Sequence, residues 1–413
     1  MLRNSAEYSD ARDQRARQPG TVSVLIRSLL LICMLSLGVA APAPVTAQTA
    51  SSPSDRLTVG SVAEFDQALA RSGEAKVIAL KPGVYDELTI RGVAAGTAVT
   101  VVAAEPANRP VIHKLLISGS RNILLEGLRF VGTGREAPEA FLAEVRQSQN
   151  IRIRKSEFSS PQGQAASNAS ALRAVEVTTL HLADTVIDNL HRGIVIDRSM
   201  AVVIEHNRFR RLTLDGLMIV QSDGVTVDSN RLDEFRPEVT GARHFLTAST
   251  RQTTAPSRNI RITRNVMIQA DGEPIAGIFF GNDEKRPYEN VDVSKNIILS
   301  SSPHGITIDY AVNASITDNM LLDALHSTYK NAIRLLNSRS SEVSRNLAVA
   351  YGYNGSQGLV SLRNVTVARG DSVTRRRIVE RLLEGLKQQG SGPSPVQAGH
   401  SVLPEHRAAG PRL

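Results

Sequence analysis

The sequence has little of several residue types, and each shortage excludes a class of protein. Of its 413 residues none is Trp and only one, Cys33, is Cys. An intrachain disulfide framework and a cysteine-based zinc site are therefore excluded. Aromatic residues make up only 4% of the chain, so the core must consist mainly of Ile, Val and Leu, which favour strands. The serine-hydrolase elbow, the His-Glu-x-x-His zinc motif and a phosphate-binding glycine loop are also missing.

Long apolar runs are also scarce, and the clearest one lies near the N-terminus. The segment before it contains Arg12, Arg15, Arg17 and Arg27. The uncharged stretch from Ser28 to Ala41 and the sequence Val45-Thr46-Ala47 then predict a secretory signal peptide over residues 1–47. The run is too short to predict a membrane span. We therefore expect an exported protein, periplasmic or extracellular, with no transmembrane anchor after the signal peptide is removed.

A repeat dominates the rest of the chain. Each unit has a first strand of the form x-Gly-apolar-x-apolar, a second strand of the form Asn-apolar-x-apolar, and a closing Asn. The first-strand pattern, with Ala332 in place of one Gly and Ser361 in place of one apolar residue, is found at Arg192–Ile196, Asp215–Ile219, Ala276–Phe280, His304–Ile308, Asn331–Leu335 and Gln357–Ser361. The closing residues are Asn207, Asn230, Asn265, Asn296, Asn319 and Asn346. Short strands that recur at the spacing of these Asn residues indicate a parallel β-helix. In such a fold these Asn side chains form a structural ladder at one corner.

The domain organisation follows from the extent of the repeat. After a linker at residues 48–60, residues 61–368 are predicted to form an all-β solenoid, a single-stranded parallel β-helix of roughly ten to twelve coils. Ser61 and Glu64 form the pattern of a capping box that begins a short helix covering the first coil, with Val62, Phe65 and Leu69 on one face. Residues 369–387 have a helical pattern, and residues 388–413 are predicted to be a disordered tail.

Stacked coils bring residues that are distant in sequence side by side, in columns along the solenoid axis. The column before the first strand contains Arg192, Asp215, Ala276, His304, Asn331 and Gln357. The column after it contains Arg198, Gln221, Asn282, Tyr310, Asn337 and Arg363. Between them runs an outward strip of Val195, Met218, Phe279, Thr307, Arg334 and Val360. A shallow groove with a partly apolar floor and polar walls suits a sugar chain.

One coil departs from the pattern, and the candidate site is placed there. The first strand between Asn230 and Asn265 lacks the glycine, and its register puts His244 between Asp215 and Ala276. The longest insertions are Ser159–Ser170, Phe235–Pro256 and Asp271–Tyr288, and the last two bracket one stretch of the solenoid, where we expect a cleft. The candidate catalytic residues are His244, Arg243, His304 and Arg192. The candidate substrate-binding residues are Asp215, Gln221, Phe279, Asn282, Tyr310 and Arg334.

These residue types suit the chemistry of a uronic acid. Cleavage or epimerisation needs a cation at the carboxylate, a base for the C5 proton, and an acid. Arg243 or Arg192 would supply the cation, His244 the base, and His304 or Tyr310 the acid. The alternative is that these are ordinary solvated side chains of a solenoid surface.

Charge and metal ligands give weaker indications. A net charge of +8 fits an acidic polysaccharide as partner, but it also fits simple solubility. Asp215, Asp223 and Asp309 lie near the groove and would suit a calcium ion, although their spacing matches no known calcium loop. No cofactor is certain. We expect a monomer that binds no nucleic acid.

Several motifs resemble those of a known family. They are Lys81-Pro82-Gly83-Val84-Tyr85, Asp215-Gly216-Leu217, Pro256-Ser257-Arg258-Asn259-Ile260, Gly277-Ile278-Phe279 and Pro303-His304-Gly305-Ile306-Thr307. They resemble bacterial right-handed parallel β-helix proteins with a pectin-lyase-like fold, related to polysaccharide lyases and alginate epimerases. The resemblance implies an exported protein that binds an acidic polysaccharide and acts on it as a lyase or C5-epimerase. The alternative is a non-catalytic carbohydrate-binding or envelope-associated scaffold with a degenerate site.

The chain departs from these relatives in the coil of His244. There the relatives read His-x-Asp-x-Ile-Gln, whereas this chain has Ala242, His244 and Thr247 at the three polar positions. A Gln that commonly precedes their next Gly-Ile-Phe is here Ala276. If the relatives use those polar residues, this protein has lost or rebuilt the site.

Overall fold

The computed structural model describes most of the chain between residues 56 and 367. Gaps fall at residues 72–74, 162, 164–167, 238–242, 251–254, 270–272, 283, 325–326 and 328, and residues 377, 381 and 384, which are helical, are also described. Several predicted features lie outside the described residues: the signal peptide, most of the linker, Ala242, most of the C-terminal helical segment and the tail. No helix in the described part of the chain is long and apolar enough to cross a membrane.

The chain winds into three stacks of parallel strands. The back sheet has 13 strands: β1 (Arg56–Val59), β2 (Ala75–Leu80), β4 (Ala98–Ala103), β6 (Arg121–Glu126), β9 (Gln149–Arg154), β12 (Thr178–Ala183), β15 (Met200–Glu205), β18 (Asp223–Asp228), β21 (Arg258–Thr263), β24 (Tyr288–Ser294), β27 (Ala311–Thr317), β30 (Glu342–Ser344) and β33 (Val360–Leu362). The front sheet comprises β3 (Val84–Arg91), β5 (Val111–Ser118), β8 (Phe141–Arg146), β11 (Ser170–Val175), β14 (Ile194–Asp197), β17 (Leu217–Val220), β20 (His244–Ser249), β23 (Ala276–Gly281), β26 (His304–Asp309), β29 (Ala332–Leu336) and β32 (Ala350–Gly352). The short sheet comprises β7 (Arg129–Val131), β10 (Glu157–Ser159), β13 (Val186–Asp188), β16 (Arg208–Arg210), β19 (Arg231–Asp233), β22 (Val266–Ile268), β25 (Ile297–Ser300), β28 (Met320–Asp323), β31 (Leu347–Ala348) and β34 (Val365–Thr366).

The predicted parallel β-helix is confirmed. Successive coils are in register, so that Leu217 pairs with Leu246 and Leu246 with Ile278. These apolar residues are almost fully buried, because every second side chain of a strand points into the interior. The few aromatics also stack between coils, as Phe130 does on Phe158 with ring centres 4.5 Å apart.

A short helix, α1 (Val62–Ala70), precedes the first complete coil. The Ser61 hydroxyl accepts a hydrogen bond from the Glu64 N–H (3.2 Å), which confirms the predicted N-cap. The Glu64 carboxylate accepts from the Gly60 N–H (2.7 Å) and so satisfies a neighbouring donor. Phe65 is fully buried and Val62 packs partly against the core.

The predicted Asn ladder occupies the corner between the back and short sheets. Asn265 is typical of its members: its backbone N–H donates to Asn296 Oδ1 (2.9 Å), and its Nδ2 donates to Val227 O (2.9 Å) and Asn296 Oδ1 (3.0 Å). The ladder continues through Asn346 to Asn364. Asn265 is fully buried, yet its polar groups are satisfied by the coils on either side.

The prediction for Gln357–Ser361 was wrong. Val360 pairs with Glu342 in the back sheet, so this segment is not a front-sheet strand. The physical reason is that only 18 residues separate Asn346 from Asn364, and the front-sheet strand of this short coil is β32, which begins only four residues after Asn346. Val360 is therefore not part of the outward strip, and Arg363 is not part of the polar column.

Candidate functional site

The irregular coil brings Asp215 and His244 together on the front sheet, as the register predicted. His244 pairs with Ala276 on its other side, and the Gly216 N–H donates to the His244 carbonyl (3.1 Å). Coils are in very close contact here: a Cβ atom on Gly216 would lie 2.5 Å from the Phe245 carbonyl oxygen. Glycine at this position of the repeat therefore lets the backbones approach, and the flanking side chains are brought into contact.

Asp215 fixes the His244 ring in place. Its Oδ1 accepts hydrogen bonds from His244 Nδ1 and from the His244 backbone N–H, both at 3.0 Å. Its Oδ2 lies 3.4 Å from Arg192 Nε, which makes an ion pair without a hydrogen bond. Because Nδ1 donates to the carboxylate, Nε2 is the ring nitrogen that remains for proton transfer. The side chains of Arg192, Asp215 and His244 are 15%, 8% and 12% exposed.

Phe279 separates two imidazole rings. The His244 ring stacks on it with centres 5.0 Å apart and an interplanar angle of 24°, and the His304 ring meets it edge-on at 5.3 Å and 87°. His304 Nδ1 lies 3.2 Å from the Thr307 hydroxyl. Burial, then the charges of Arg334 and His244, lower the pKa of His304. His304 is therefore neutral around pH 7.

The two arginines predicted to neutralise a substrate carboxylate already face carboxylates of the protein. Arg192 pairs with Asp215, and Arg243 lies 3.9 Å from Glu273 with a side chain only 6% exposed. The Nε atoms of both arginines are buried without a hydrogen-bond partner among the described residues. Both guanidinium groups are thus mostly withdrawn from solvent.

Arg334, predicted only as a binding residue, is the cation with the better access. It pairs with Thr307 in the preceding coil, is half-buried, and its charge acts on His304. Within the described part of the chain no carboxylate lies within 4 Å of its guanidinium. The sequence placed Arg334 in the correct column, but its lack of an ion pair depends on side-chain positions that no pattern encodes.

Three predicted binding residues lie at the far end of the strands. Gln221, Asn282 and Tyr310 follow the front-sheet strands, six residues beyond Asp215, Ala276 and His304, which corresponds to about 20 Å of extended chain. Tyr310 is therefore not part of the His244 cluster.

Asn282 and Gln221 have other surroundings at that end. Asn282 is buried, and its Oδ1 accepts from the Thr250 hydroxyl (2.8 Å) and the Arg286 N–H (2.8 Å). Gln221 lines a separate cleft of about 570 Å³ together with Arg198, Asp223 and Arg258. These contacts do not join either residue to His244.

The three aspartates considered for calcium do not form one site. Asp215 binds His244, Asp223 accepts from Arg258 Nε (2.8 Å), and Asp309 accepts from Asn337 Nδ2 (2.8 Å). Among the described residues there is no group of three or more His, Cys, Asp or Glu side chains placed to hold a metal ion. This carboxylate set therefore does not fit a shared calcium ion.

Comparison with known proteins supports the fold. An exopolygalacturonase from Thermotoga maritima matches with a TM-score of 0.51 and 10% identity, over 75% of this chain and 92% of its own. An alginate lyase from Paenibacillus sp. str. FPU-7 has a TM-score of 0.44 and 12% identity, over 76% and 99% of the two chains. The surface adhesin PfbA of Streptococcus pneumoniae has a TM-score of 0.43 and 10% identity, over 73% and 86%. A search of curated proteins found no match.

The family model for a right-handed β-helix region matches residues 141–348. This span includes Arg192, Asp215, His244, Phe279 and Arg334, and so contains the whole candidate cluster. The match agrees with the in-register parallel strands of all three sheets. The chain belongs to the right-handed β-helix family.

Proposed function

We propose that this exported β-helix protein binds an acidic polysaccharide and acts on its uronic acid residues, as a lyase or as a C5-epimerase. The observation that carries the proposal is the hydrogen bond between Asp215 and His244 Nδ1. It fixes one imidazole on the outward strip, stacked on Phe279 and opposite a second, neutral imidazole. A fixed base with a second titratable imidazole nearby is an arrangement that acid–base catalysis uses.

The residues divide the reaction between them. His244 Nε2 removes the C5 proton, and Asp215 stabilises the imidazolium that forms. Arg334 offsets the negative charge that develops on the substrate carboxylate. The protonated form of His304 donates a proton to the leaving oxygen at C4 in a lyase, or to the opposite face of C5 in an epimerase, and leaves the neutral ring. In the lyase the C5–H and C4–O bonds break and a C4–C5 double bond forms.

The substrate class rests on charge and on the fold. The net charge of +8 favours a polyanion, and an exopolygalacturonase uses the same fold, so polygalacturonate belongs among the polymers to be tested. Alginate and a glycosaminoglycan complete the panel. Each polymer should be assayed with and without added calcium, because calcium bound by the polymer itself would also change its reactivity.

The test is proton exchange at C5, which detects either reaction. The purified protein is incubated with each polymer in D2O, and ultraviolet absorbance reports the unsaturated product of a lyase. NMR reports deuterium at C5 without absorbance for an epimerase. His244→Gln should lower the rate by about 10²- to 10⁴-fold, because a general base is removed.

A matched control is available on the back sheet. His181 Nε2 lies 2.8 Å from Glu205 Oε1, so it is also a histidine paired with a carboxylate. His181→Gln should leave the rate unchanged. Absence of product with every polymer, or equal loss in both variants, would refute the catalytic proposal.

The second candidate is a non-catalytic carbohydrate-binding or envelope-associated scaffold. The observation in its favour is the low exposure of the cluster, since the Arg243 and Asp215 side chains are only 6% and 8% exposed. A polymer would then contact the strip without C5 reaching His244. Retained binding to an acidic glycan with no product would support this function.

A further inference from the structure

A second concave surface lies on the front sheet, on the C-terminal side of His304. It is a cleft of about 440 Å³ between β29 and β32, and its lining includes Lys330, Arg334, Leu336, Ala350, Tyr351 and Gly352. This volume falls in the range of small-ligand sites and is sufficient for a sugar residue.

Small residues keep the cleft open. Arg334 pairs with Gly352 in the next coil, and Ala332 pairs with Ala350. A Cβ atom on Gly352 would lie 3.7 Å from Arg334 Cγ, so it would meet the guanidinium stem without a clash. A longer side chain at this position would fill the space that the glycine leaves.

The charge of the lining has one sign. Lys330 and Arg334 are both cationic, and none of the lining residues is acidic. Within the described part of the chain neither cation has a carboxylate within 4 Å. By contrast, Arg345 on the other side of the same coils pairs with Asp318 at 2.9 Å. A concave surface lined by one sign of charge concentrates ligands of the opposite sign.

The cleft is continuous with the candidate site. Arg334 pairs with Thr307, whose hydroxyl contacts the His304 ring. Successive coils are about 4.8 Å apart, so the cleft begins roughly one coil beyond His304 along the solenoid axis. A polymer that follows the outward strip past His304 would enter it.

We propose that this cleft is an anion subsite that binds the carboxylate of a second acidic sugar residue, further along the same polymer than the one at His244. Lys330 supplies a point charge, Arg334 a planar donor pair, and Leu336 an apolar surface for the ring. The inference rests on the proposed function, since it assumes that the ligand is an acidic glycan. It adds that recognition depends on the carboxylate of a second sugar residue of the same polymer.

Calorimetry with a defined oligosaccharide tests the subsite. The probes are tetragalacturonate, tetramannuronate and the methyl ester of tetragalacturonate, which lacks the charge. At least one acidic probe should bind, and tetragalacturonate, if it does, at least tenfold more tightly than its ester. Lys330→Gln and Gly352→Leu, which act through charge and through space, should each weaken binding at least fivefold. The control Arg339→Gln removes an exposed charge on the back-sheet side of the solenoid. It should change the affinity less than twofold.

The outcomes separate the two proposals. Wild-type affinity in both variants, with melting temperatures also unchanged, overturns the subsite and leaves His244 chemistry intact. Loss of binding in both variants without any C5 exchange in the wild type supports the subsite and refutes catalysis. If neither acidic tetrasaccharide binds the wild type, the subsite is overturned, and polymer assays alone then decide the proposed function.

Discussion

The Asn ladder and the His244 cluster occupy different corners of the same coils, and they treat buried polar groups in opposite ways. In the ladder one residue type repeats, so each amide donates to the next and every group is satisfied. In the cluster different residue types share the column, and the Nε atoms of Arg192 and Arg243 are left without hydrogen bonds among the described residues. Repetition produces stability, and departure from repetition produces polar groups that are available for chemistry.

The largest expected effect is on the ladder. Asn265→Asp is nearly isosteric, but it replaces an amide donor to Val227 O and Asn296 Oδ1 with a buried carboxylate facing acceptors. We expect the free energy of unfolding to fall by about 4 kcal/mol. Urea denaturation measures it. The control is Asn290→Asp, which should cost less than about 1 kcal/mol, because the amide of Asn290 makes only exposed bonds, as a donor to Asn259 and as an acceptor from Asn313. Equal costs would show that the ladder is not what stabilises the corner.

A smaller effect is expected at the cluster. Asp215→Ala leaves Arg192 mostly buried without its counter-ion and frees the His244 ring. We expect the free energy of unfolding to fall by about 3 kcal/mol. Activity should fall as well, because the His244 base is no longer held in its orientation. Asp223→Ala removes a carboxylate from the exposed Arg258 and should cost less than about 1 kcal/mol. If the two variants were equally stable, the cluster would be no more constrained than the surface.

The smallest effect is pH dependence from His304. Its pKa is lowered by burial and by nearby positive charge, whereas unfolded His titrates at about 6.5. Below that pH the unfolded state binds more protons, so stability falls as the pH decreases through this range and levels off below the folded pKa. Urea midpoints between pH 8 and pH 5 should show a shallower loss for His304→Gln than for the wild type. Identical slopes would exclude His304 as a source.

Periodic features of the protein could be predicted from the sequence. The closing Asn residues identified the ladder, and counting residues between them placed His244 beside Asp215 despite the missing glycine. The same logic failed in the last coil, where a glycine-containing segment imitates the first-strand pattern but only 18 residues separate Asn346 from Asn364. Pattern alone does not reveal that a coil has been shortened.

Side-chain pairing could not be predicted. Arg192, Arg243 and Arg334 all lie near the strip, but only their conformations decide which of them meets a carboxylate of the protein itself. Similarly, Tyr310 directly follows the strand that His304 begins, and the extended backbone of that strand separates them by about 20 Å. A shared column shows that two residues are neighbours in successive coils. Residues that act together must also lie at a similar position along the strand direction.

In the part of the chain that the structure describes, the two ends of the solenoid differ in how they are covered. Helix α1 lies over the first coil with Phe65 fully buried, whereas in the last coil the Val360 and Leu362 side chains are 48% and 58% exposed. In a stack where each coil touches only its neighbours, fraying starts where cover is least and local opening becomes costlier inward. Amide hydrogen exchange should therefore slow from Val365 towards Leu217. The coil of Lys330 would open locally more often than that of Asp215. This difference lets a polymeric ligand enter at the C-terminal end of the solenoid and reach the more rigid candidate site further along the axis.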